Sequence, residues 1–240
     1  GSNEILQQIL QAFGGPGRTV MSFGPTYSMY PLLASGTDTT YIAGERAEDF
    51  TLSAESAAAQ VREHKPNIVF LCSPNNPTGT ALGLDVITAV YEAMSEHNGM
   101  VIVDEAYAEF SLASTKSALS LLEGRQRLIV SRTMSKAFGL AGARLGYLAA
   151  APEVTDAIRL VRLPYHLSAV TQATAIAALK NIELLLAQVE DIKSQRDRIV
   201  ARLKELGLKP SVSDSNFVFF GGVEDPHAIW EGLLEAGIII

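Results

Sequence analysis

Short apolar segments, each followed by a group of polar residues, constrain the possible fold more than any other feature of this chain. The segments Ile68–Cys72 and Met100–Val103 are apolar throughout. Runs of this length are typical of strands buried on both faces of a parallel sheet. Helical patterns separate them, with Ser53 as the predicted N-cap of a helix that ends near His64. Strands that alternate with helices predict an α/β domain with a mostly parallel sheet.

The pattern changes after about residue 150, which suggests a second domain. Up to that residue the sequence predicts further strands at 19–23, 38–43, 127–131 and 144–149, and further helices at 5–13, 27–34 and 85–97. Beyond them the sequence predicts helices at 153–163, 168–180 and 182–206, strands at 209–212 and 216–220, and a helix at 226–235. We therefore predict a large domain over 1–163 and part of a small α+β domain over 164–240, which includes a long connecting helix. The chain begins without Met and stops inside a predicted strand, Gly237–Ile240, so truncation at both ends is expected.

Composition excludes several classes of protein. The 19 Lys and Arg residues face 26 Asp and Glu residues, a net charge of −7, and no basic run offsets this. Nucleic acid and anionic membranes are therefore not expected as partners. The single cysteine, Cys72, excludes a disulfide framework within the chain, and the four histidines lack metal-ligand spacing. With no bilayer-length apolar run and no signal-peptide pattern, a cytoplasmic protein without a metal site is expected.

Polar groups follow three of the predicted strands. Ser73–Gly79 comes after the first apolar strand, Asp104–Tyr107 after the second and Arg132–Phe138 after the strand at 127–131. Ligands of open parallel sheets bind outside the carboxyl ends of the strands, so these groups are expected to form one site. Because a lysine, Lys136, lies beside hydroxyls and opposite a buried carboxylate, the cluster suits a Schiff base with a cofactor aldehyde.

Each of these groups also has a purely structural interpretation. The Asn-rich segment Asn75–Gly79 is a strong turn former. Asp104 could cap a helix after its strand, and Ser135 could cap a helix in which Lys136 is a solvated first-turn lysine. These alternatives require three separate strand ends to carry such residues by coincidence.

The order and spacing of four motifs resemble one family. Asn75–Gly79, Asp104–Tyr107, Ser135–Phe138 and Ala141–Tyr147 resemble the aminotransferases of the aspartate aminotransferase fold, which use pyridoxal 5′-phosphate (PLP). The resemblance covers the whole chain. It implies a large PLP-binding domain with a mostly parallel sheet and a small α+β domain.

The resemblance also implies roles for individual residues. Lys136 would form the Schiff base, Asp104 would bind the pyridine nitrogen and keep it protonated, and Tyr107 with Asn76 would contact the phenolic oxygen of the ring. Tyr27 matches the aromatic residue that stacks on the ring, although periodicity alone makes it a core aromatic of a helix. The expected catalytic residues are thus Lys136, Asp104 and Tyr107.

A second group of residues matches the ligands of the cofactor phosphate. They are Thr133, Ser135, Arg144 and the backbone amides of Ser2 and Asn3. Free N–H groups and the helix dipole at the start of the first helix favour a phosphate there. Arg144 could be a surface arginine, but Gly142 and Gly146 flank it and would leave room for a bidentate phosphate contact.

Within this family the chain looks most like the histidinol-phosphate aminotransferases, above all in Asp104–Phe110 and Leu163–Ser168. The resemblance implies a cytoplasmic homodimer that transfers the amino group of histidinol phosphate to 2-oxoglutarate, giving imidazole acetol phosphate and glutamate in histidine biosynthesis. Relatives with the same PLP residues act on phenylalanine and other aromatic amino acids, and one is a threonine-phosphate decarboxylase. The family's substrate-binding arginines lie beyond Ile240, which leaves open whether these 240 residues are active alone.

Overall fold

A six-stranded sheet forms the centre of the molecule in the computed structural model, which describes residues 1–240. Its strands are β1 (Thr19–Gly24), β2 (Thr40–Glu45), β3 (Ile68–Cys72), β4 (Met100–Asp104), β5 (Leu128–Thr133) and β6 (Gly146–Ala149). Their spatial order is β2-β1-β3-β4-β5-β6, and only the β5–β6 pair is antiparallel. The predicted mostly parallel α/β sheet is confirmed.

Helices cover both faces of this sheet, because alternate residues of each strand point to opposite sides. The helices that pack on the sheet are α1 (Ser2–Phe13), α2 (Met29–Ser35), α3 (Ala54–His64), α4 (Leu84–Ser95) and α5 (Pro152–Val161). Ile68 and Phe70 of β3 join the core under α1, α2 and α5, while Val69 and Leu71 join the core under α3 and α4. As predicted, Ser53 caps α3, since its side chain accepts a hydrogen bond from the Ser56 backbone N–H.

A smaller unit follows the sheet. It contains α6 (Ala169–Lys180), α7 (Ile182–Glu205), β7 (Lys209–Pro210), β8 (Phe220–Gly221) and α8 (Pro226–Glu235). The predicted strands at 209–212 and 216–220 are too long, because the chain between β7 and β8 turns back onto the large sheet domain. There Ser211 Oγ donates to the Thr78 carbonyl at 2.6 Å, and the Asp214 N–H donates to the Gly79 carbonyl at 2.8 Å. We propose a domain boundary near residue 163. The second sheet supports it, because both of its strands come after that residue.

Two further predictions of strand extent are wrong for physical reasons. Arg144 lies before β6 because its backbone φ of 53° is in the left-handed region, which a strand does not accept. The predicted strand Gly237–Ile240 is absent, since no neighbouring strand pairs with it and Ile239 is 86% exposed. No single helix has the length and apolarity to cross a bilayer; α6 and α7 meet that test only as a pair, with a bend of 75° between them.

Candidate active site

All ten residues predicted to bind the cofactor line one cavity of about 290 Å³ at the carboxyl ends of β3, β4 and β5. They are Ser2, Asn3, Tyr27, Asn76, Asp104, Tyr107, Thr133, Ser135, Lys136 and Arg144. Cys72, Ala106 and Ala141 complete the lining. The structure therefore brings together residues from three strand ends, the first helix and the turn before β6.

Asp104 forms the floor of this cavity as the last residue of β4. It pairs in register with Cys72 of β3 and Ser131 of β5, and it is only 2% exposed. Tyr30 Oη donates to Asp104 Oδ2 at 3.2 Å, and Ser131 Oγ donates to Asp104 Oδ1 at 3.1 Å. Burial raises the pKa of Asp104 to about 6, although these hydrogen bonds favour the ionised form. The alternative of a helix cap is wrong, because Asp104 belongs to the strand.

Lys136 lies across the cavity, in the turn after β5. Its Nζ is 5.2 Å from the centroid of the Tyr107 ring, and its side chain is exposed toward the cavity mouth. No helix begins at Ser135, so the alternative of a cap with a first-turn lysine is also wrong. Instead the Ser135 N–H donates to Thr133 Oγ1 at 3.1 Å, which holds the turn that presents Lys136.

Tyr107 and Asn76 form a polar pair on the cavity wall. Asn76 Nδ2 donates to Tyr107 Oη at 3.3 Å. Burial raises the pKa of the Tyr107 phenol, so that it stays protonated at neutral pH. Phe217 of the small unit packs edge-on against the Tyr107 ring, with centroids 5.2 Å apart. The small unit therefore helps to fix the orientation of this phenol.

Tyr27 lies before α2 and reaches the opposite wall. It is half-buried rather than a core aromatic, and its hydroxyl donates to Asn3 Oδ1 at 3.1 Å. Its segment is held by the buried Asn75, whose Nδ2 donates to the Pro25 carbonyl at 2.9 Å and whose Oδ1 accepts from Thr26 Oγ1 at 2.8 Å. Asn75 thus ties the position of Tyr27 to the loop that carries Asn76.

The N-terminus of α1 closes the end of the cavity. A Cβ at Gly146 would lie 2.7 Å from the Ser2 backbone nitrogen, so only glycine allows this close approach. Gly142, in contrast, has open space around it, and the expectation that it makes room for Arg144 is not supported. The Arg144 side chain lines the cavity and donates to the Ala141 carbonyl at 2.9 Å.

One buried side-chain oxygen at this end has no partner. Ser135 Oγ is buried and makes no hydrogen bond within the chain, which costs about 1–3 kcal/mol for a polar group. The donors of Ser135, Thr133 and Arg144 and the free N–H groups at the start of α1 suit a phosphate. Asp104 suits a pyridinium and Lys136 an aldehyde. The residues present therefore fit PLP.

Sequence reasoning missed three residues of the site: Tyr30, Ser131 and Asn75. Strand register offered a signal for Ser131, since parallel pairing of β4 with β5 places it beside Asp104. Asn75 belongs to a predicted turn and to a family motif, but neither assigns it a role of its own. Tyr30 reaches Asp104 across 74 residues of sequence, and no local pattern indicates that contact.

Comparison with known proteins agrees with this geometry. The model of the family described as aminotransferase class I and II matches residues 1–240. Curated histidinol-phosphate aminotransferases from Paenarthrobacter aurescens and Frankia casuarinae are 74% and 58% identical, over all of this chain and 64% and 61% of their own lengths. The chain thus spans less than two thirds of these relatives.

Solved structures give the same result. A crystal structure of histidinol-phosphate aminotransferase from Sinorhizobium meliloti in complex with pyridoxal-5′-phosphate superposes with a TM-score of 0.91 at 29% identity, over 100% of this chain and 66% of that one. An aspartate aminotransferase from Thermus thermophilus with maleate superposes with a TM-score of 0.82 at 26% identity, over 100% of this chain and 65% of that one. From its site, its fold and the match along its whole length, the chain belongs to the aminotransferase class I and II family.

Proposed function

We propose that the protein containing this chain uses PLP to transfer the amino group of histidinol phosphate to 2-oxoglutarate, a step of histidine biosynthesis that yields imidazole acetol phosphate and glutamate. The observation that carries the proposal is the 74% identity to a curated histidinol-phosphate aminotransferase over all 240 residues. The cavity supports it, because every residue expected to hold PLP lines the same space.

In this proposal two ends of the cavity bind two ends of the cofactor. Thr133, Ser135, Arg144 and the N–H groups of Ser2 and Asn3 hold the phosphate, where Ser135 Oγ gains the partner that it lacks within the chain. Asp104 holds the pyridine nitrogen, and its negative charge keeps that nitrogen protonated. Tyr27 packs on the ring face, and Tyr107 with Asn76 contacts the ring oxygen.

Lys136 is the residue that moves protons. When bound, PLP supplies an electron-withdrawing ring that stabilises negative charge at the α-carbon of the donor. Once the donor amine has taken its place on the cofactor, Lys136 Nζ accepts the α-proton as a general base and then, as a general acid, delivers it to the cofactor. The exposed position of Lys136 at the cavity mouth leaves it free to reach a donor that enters from solvent.

We also propose that the protein is a homodimer. Large apolar side chains from the end of α5 to the start of α6 are unusually exposed: Leu160 is 88%, Leu163 73%, Tyr165 98% and Val170 75% exposed. Groups of exposed apolar side chains mark interaction sites, and a second copy of the chain is the proposed partner. Sedimentation of the full-length protein at micromolar concentration should give twice the monomer mass. The cytoplasmic location expected from the sequence stays a prediction.

The test of the reaction is a donor panel with the full-length protein, PLP and 2-oxoglutarate. Charge-assisted contacts to a phosphate contribute about 1.5–3 kcal/mol each, a factor of about 10 to 100 per contact. We therefore expect kcat/KM for histidinol phosphate to exceed that for phenylalanine at least tenfold. A ratio below one would instead assign an aromatic aminotransferase, and release of CO₂ from threonine phosphate would assign a decarboxylase.

A further inference from the structure

Tyr30 is a fully buried tyrosine whose hydroxyl lies under the cavity. It sits in the first turn of α2, and its Oη donates to Asp104 Oδ2 at 3.2 Å. Burial raises the pKa of this phenol well above its usual value, so the hydroxyl remains a donor at every working pH. A hydroxyl buried this deeply is fixed in direction, because no water competes for it.

The ring of Tyr30 is packed on two sides. It lies edge-on to Tyr27, with centroids 5.5 Å apart, and tilted against Phe70 of β3 at 4.9 Å. The Tyr30 N–H also donates to the Tyr27 carbonyl at 3.2 Å. One side chain thus contacts both the residue expected at the cofactor ring face and the carboxylate expected at the ring nitrogen.

The titratable groups next to Asp104 are uncharged or bound elsewhere, so its hydrogen bonds are what stabilise the ionised form. Burial raises the pKa of the neighbouring Cys72 thiol to about 12, and burial also keeps Tyr107 protonated, so neither group is charged at neutral pH. Glu105 is engaged elsewhere, by Arg132 at 2.7 Å. Two cations line the cavity: Lys136, which contacts the Tyr107 ring, and Arg144 at the phosphate end.

Each oxygen of Asp104 accepts one side-chain hydrogen bond, beside a backbone contact with the Ala106 N–H. Tyr30 Oη serves Oδ2 and Ser131 Oγ serves Oδ1. Hydrogen bonds to a charged group are about twice as strong as those between neutral groups, and they are directional. Together they favour the ionised carboxylate and fix the plane in which it faces the cavity.

We propose that Tyr30 is a positioning residue of this site, which with Ser131 orients the Asp104 carboxylate toward the cofactor nitrogen and couples it to Tyr27. The inference rests on the proposed role of Asp104 toward PLP. It predicts that removing one hydroxyl at position 30, with the ring left in place, weakens cofactor binding through Asp104 rather than through loss of packing.

The test compares Tyr30→Phe with a matched control, Tyr41→Phe. The Tyr41 hydroxyl also forms a hydrogen bond on this sheet, with Ser22 Oγ at 2.6 Å, but Tyr41 is only partly buried and does not touch Asp104. PLP is titrated into the full-length protein, purified without cofactor, and its Kd is measured by the change in protein fluorescence. We expect Tyr30→Phe to raise the Kd about tenfold or more, from the strength of a bond to a charged group, and Tyr41→Phe to leave it within twofold.

A second readout needs no cofactor. The midpoint of the Asp104 titration in the cofactor-free protein is obtained from the free energy of unfolding, measured in urea at a series of pH values from pH 4 to pH 8. Because Tyr30 favours the ionised form, its loss should move that midpoint upward in Tyr30→Phe, and a second step upward is expected when Ser131→Ala is added. Tyr41→Phe should show the parental midpoint.

Each outcome separates the inference from the proposed function. If the parent protein binds PLP but Tyr30→Phe keeps the parental Kd and midpoint, the positioning role is refuted and the proposed function stands. Equal shifts in Tyr30→Phe and Tyr41→Phe would show a general packing effect and would also refute it. A parent protein that binds no PLP would refute the proposed function, and with it the role of Tyr30 toward the cofactor.

Discussion

Replacing Asp104 with asparagine should stabilise the cofactor-free protein at neutral pH while it disables the site. Asp104 is a buried carboxylate whose pKa is raised from 3.8 to about 6, and burial is the main cause. Asparagine keeps the size and carries no charge, but its NH₂ group replaces one accepting oxygen, so it accepts from only one of Tyr30 and Ser131, as the protonated carboxyl would. The variant therefore removes the free-energy cost of burying a charge and leaves the packing in place.

The magnitude follows from the difference between the two pKa values. About two pKa units at about 1.4 kcal/mol each give roughly 3 kcal/mol. Between pH 4 and pH 6 the folded protein keeps the Asp104 proton that the unfolded chain has lost, so the free energy of unfolding falls as the pH rises. Above pH 6 both states are ionised and the full cost persists. In the Asp104→Asn variant the free energy of unfolding does not fall in this way.

Urea unfolding of the cofactor-free protein at a series of pH values measures the effect. We expect the advantage of Asp104→Asn over the parent to grow by about 2 kcal/mol from pH 4 to pH 7, because the rest of the roughly 3 kcal/mol is lost below pH 4. Asp156→Asn, at an exposed position on α5, controls for the substitution itself. In the full-length holoenzyme the same variant should lose about 100-fold or more in kcat, because it lacks the charge that faces the pyridine nitrogen. A stability difference that is constant with pH, or parental turnover, would refute the reasoning.

Two further predictions concern the phosphate end of the cavity. Ser135→Ala should leave the cofactor-free protein as stable as the parent or slightly more so, because it removes an unpartnered buried hydroxyl. The same variant should raise the Kd for PLP about tenfold. Equilibrium unfolding checks the first effect and PLP titration the second. Gly146→Ala should lower the free energy of unfolding and weaken PLP binding, since its Cβ would lie 2.7 Å from the Ser2 nitrogen. Gly142→Ala is the control, because its Cβ would lie in open space. Parental behaviour of Gly146→Ala would show that the start of α1 does not need this close approach.

The sequence predicts the sheet and its polar edge because both depend on local patterns. Ile68–Cys72 and Met100–Val103 are apolar at every position, which is typical of strands covered on both faces. The next polar residues then fall at the carboxyl ends of those strands. Asp104 and Lys136 could therefore be assigned to one site before any coordinates were known.

What the sequence could not predict depends on contacts between distant segments. Tyr30 meets Asp104 only because α2 places its ring against Phe70 of β3. Asp214 returns to the connection between β4 and β5, where its Oδ1 accepts from the Leu112 N–H and Thr115 Oγ1. The apolar residues Ile238–Ile240 have the composition of a strand, but a strand also needs a neighbour to pair with. Composition reports the first requirement and not the second.

The central claim is that Lys136 is the amine to which PLP attaches. Borohydride reduction of the PLP-loaded full-length protein fixes the cofactor to that amine, and mass spectrometry of the digested protein identifies the labelled peptide. The account predicts the label on the peptide that contains Lys136, and no label in Lys136→Ala. A label on Lys116 or Lys180, or labelling that persists in Lys136→Ala, would contradict it.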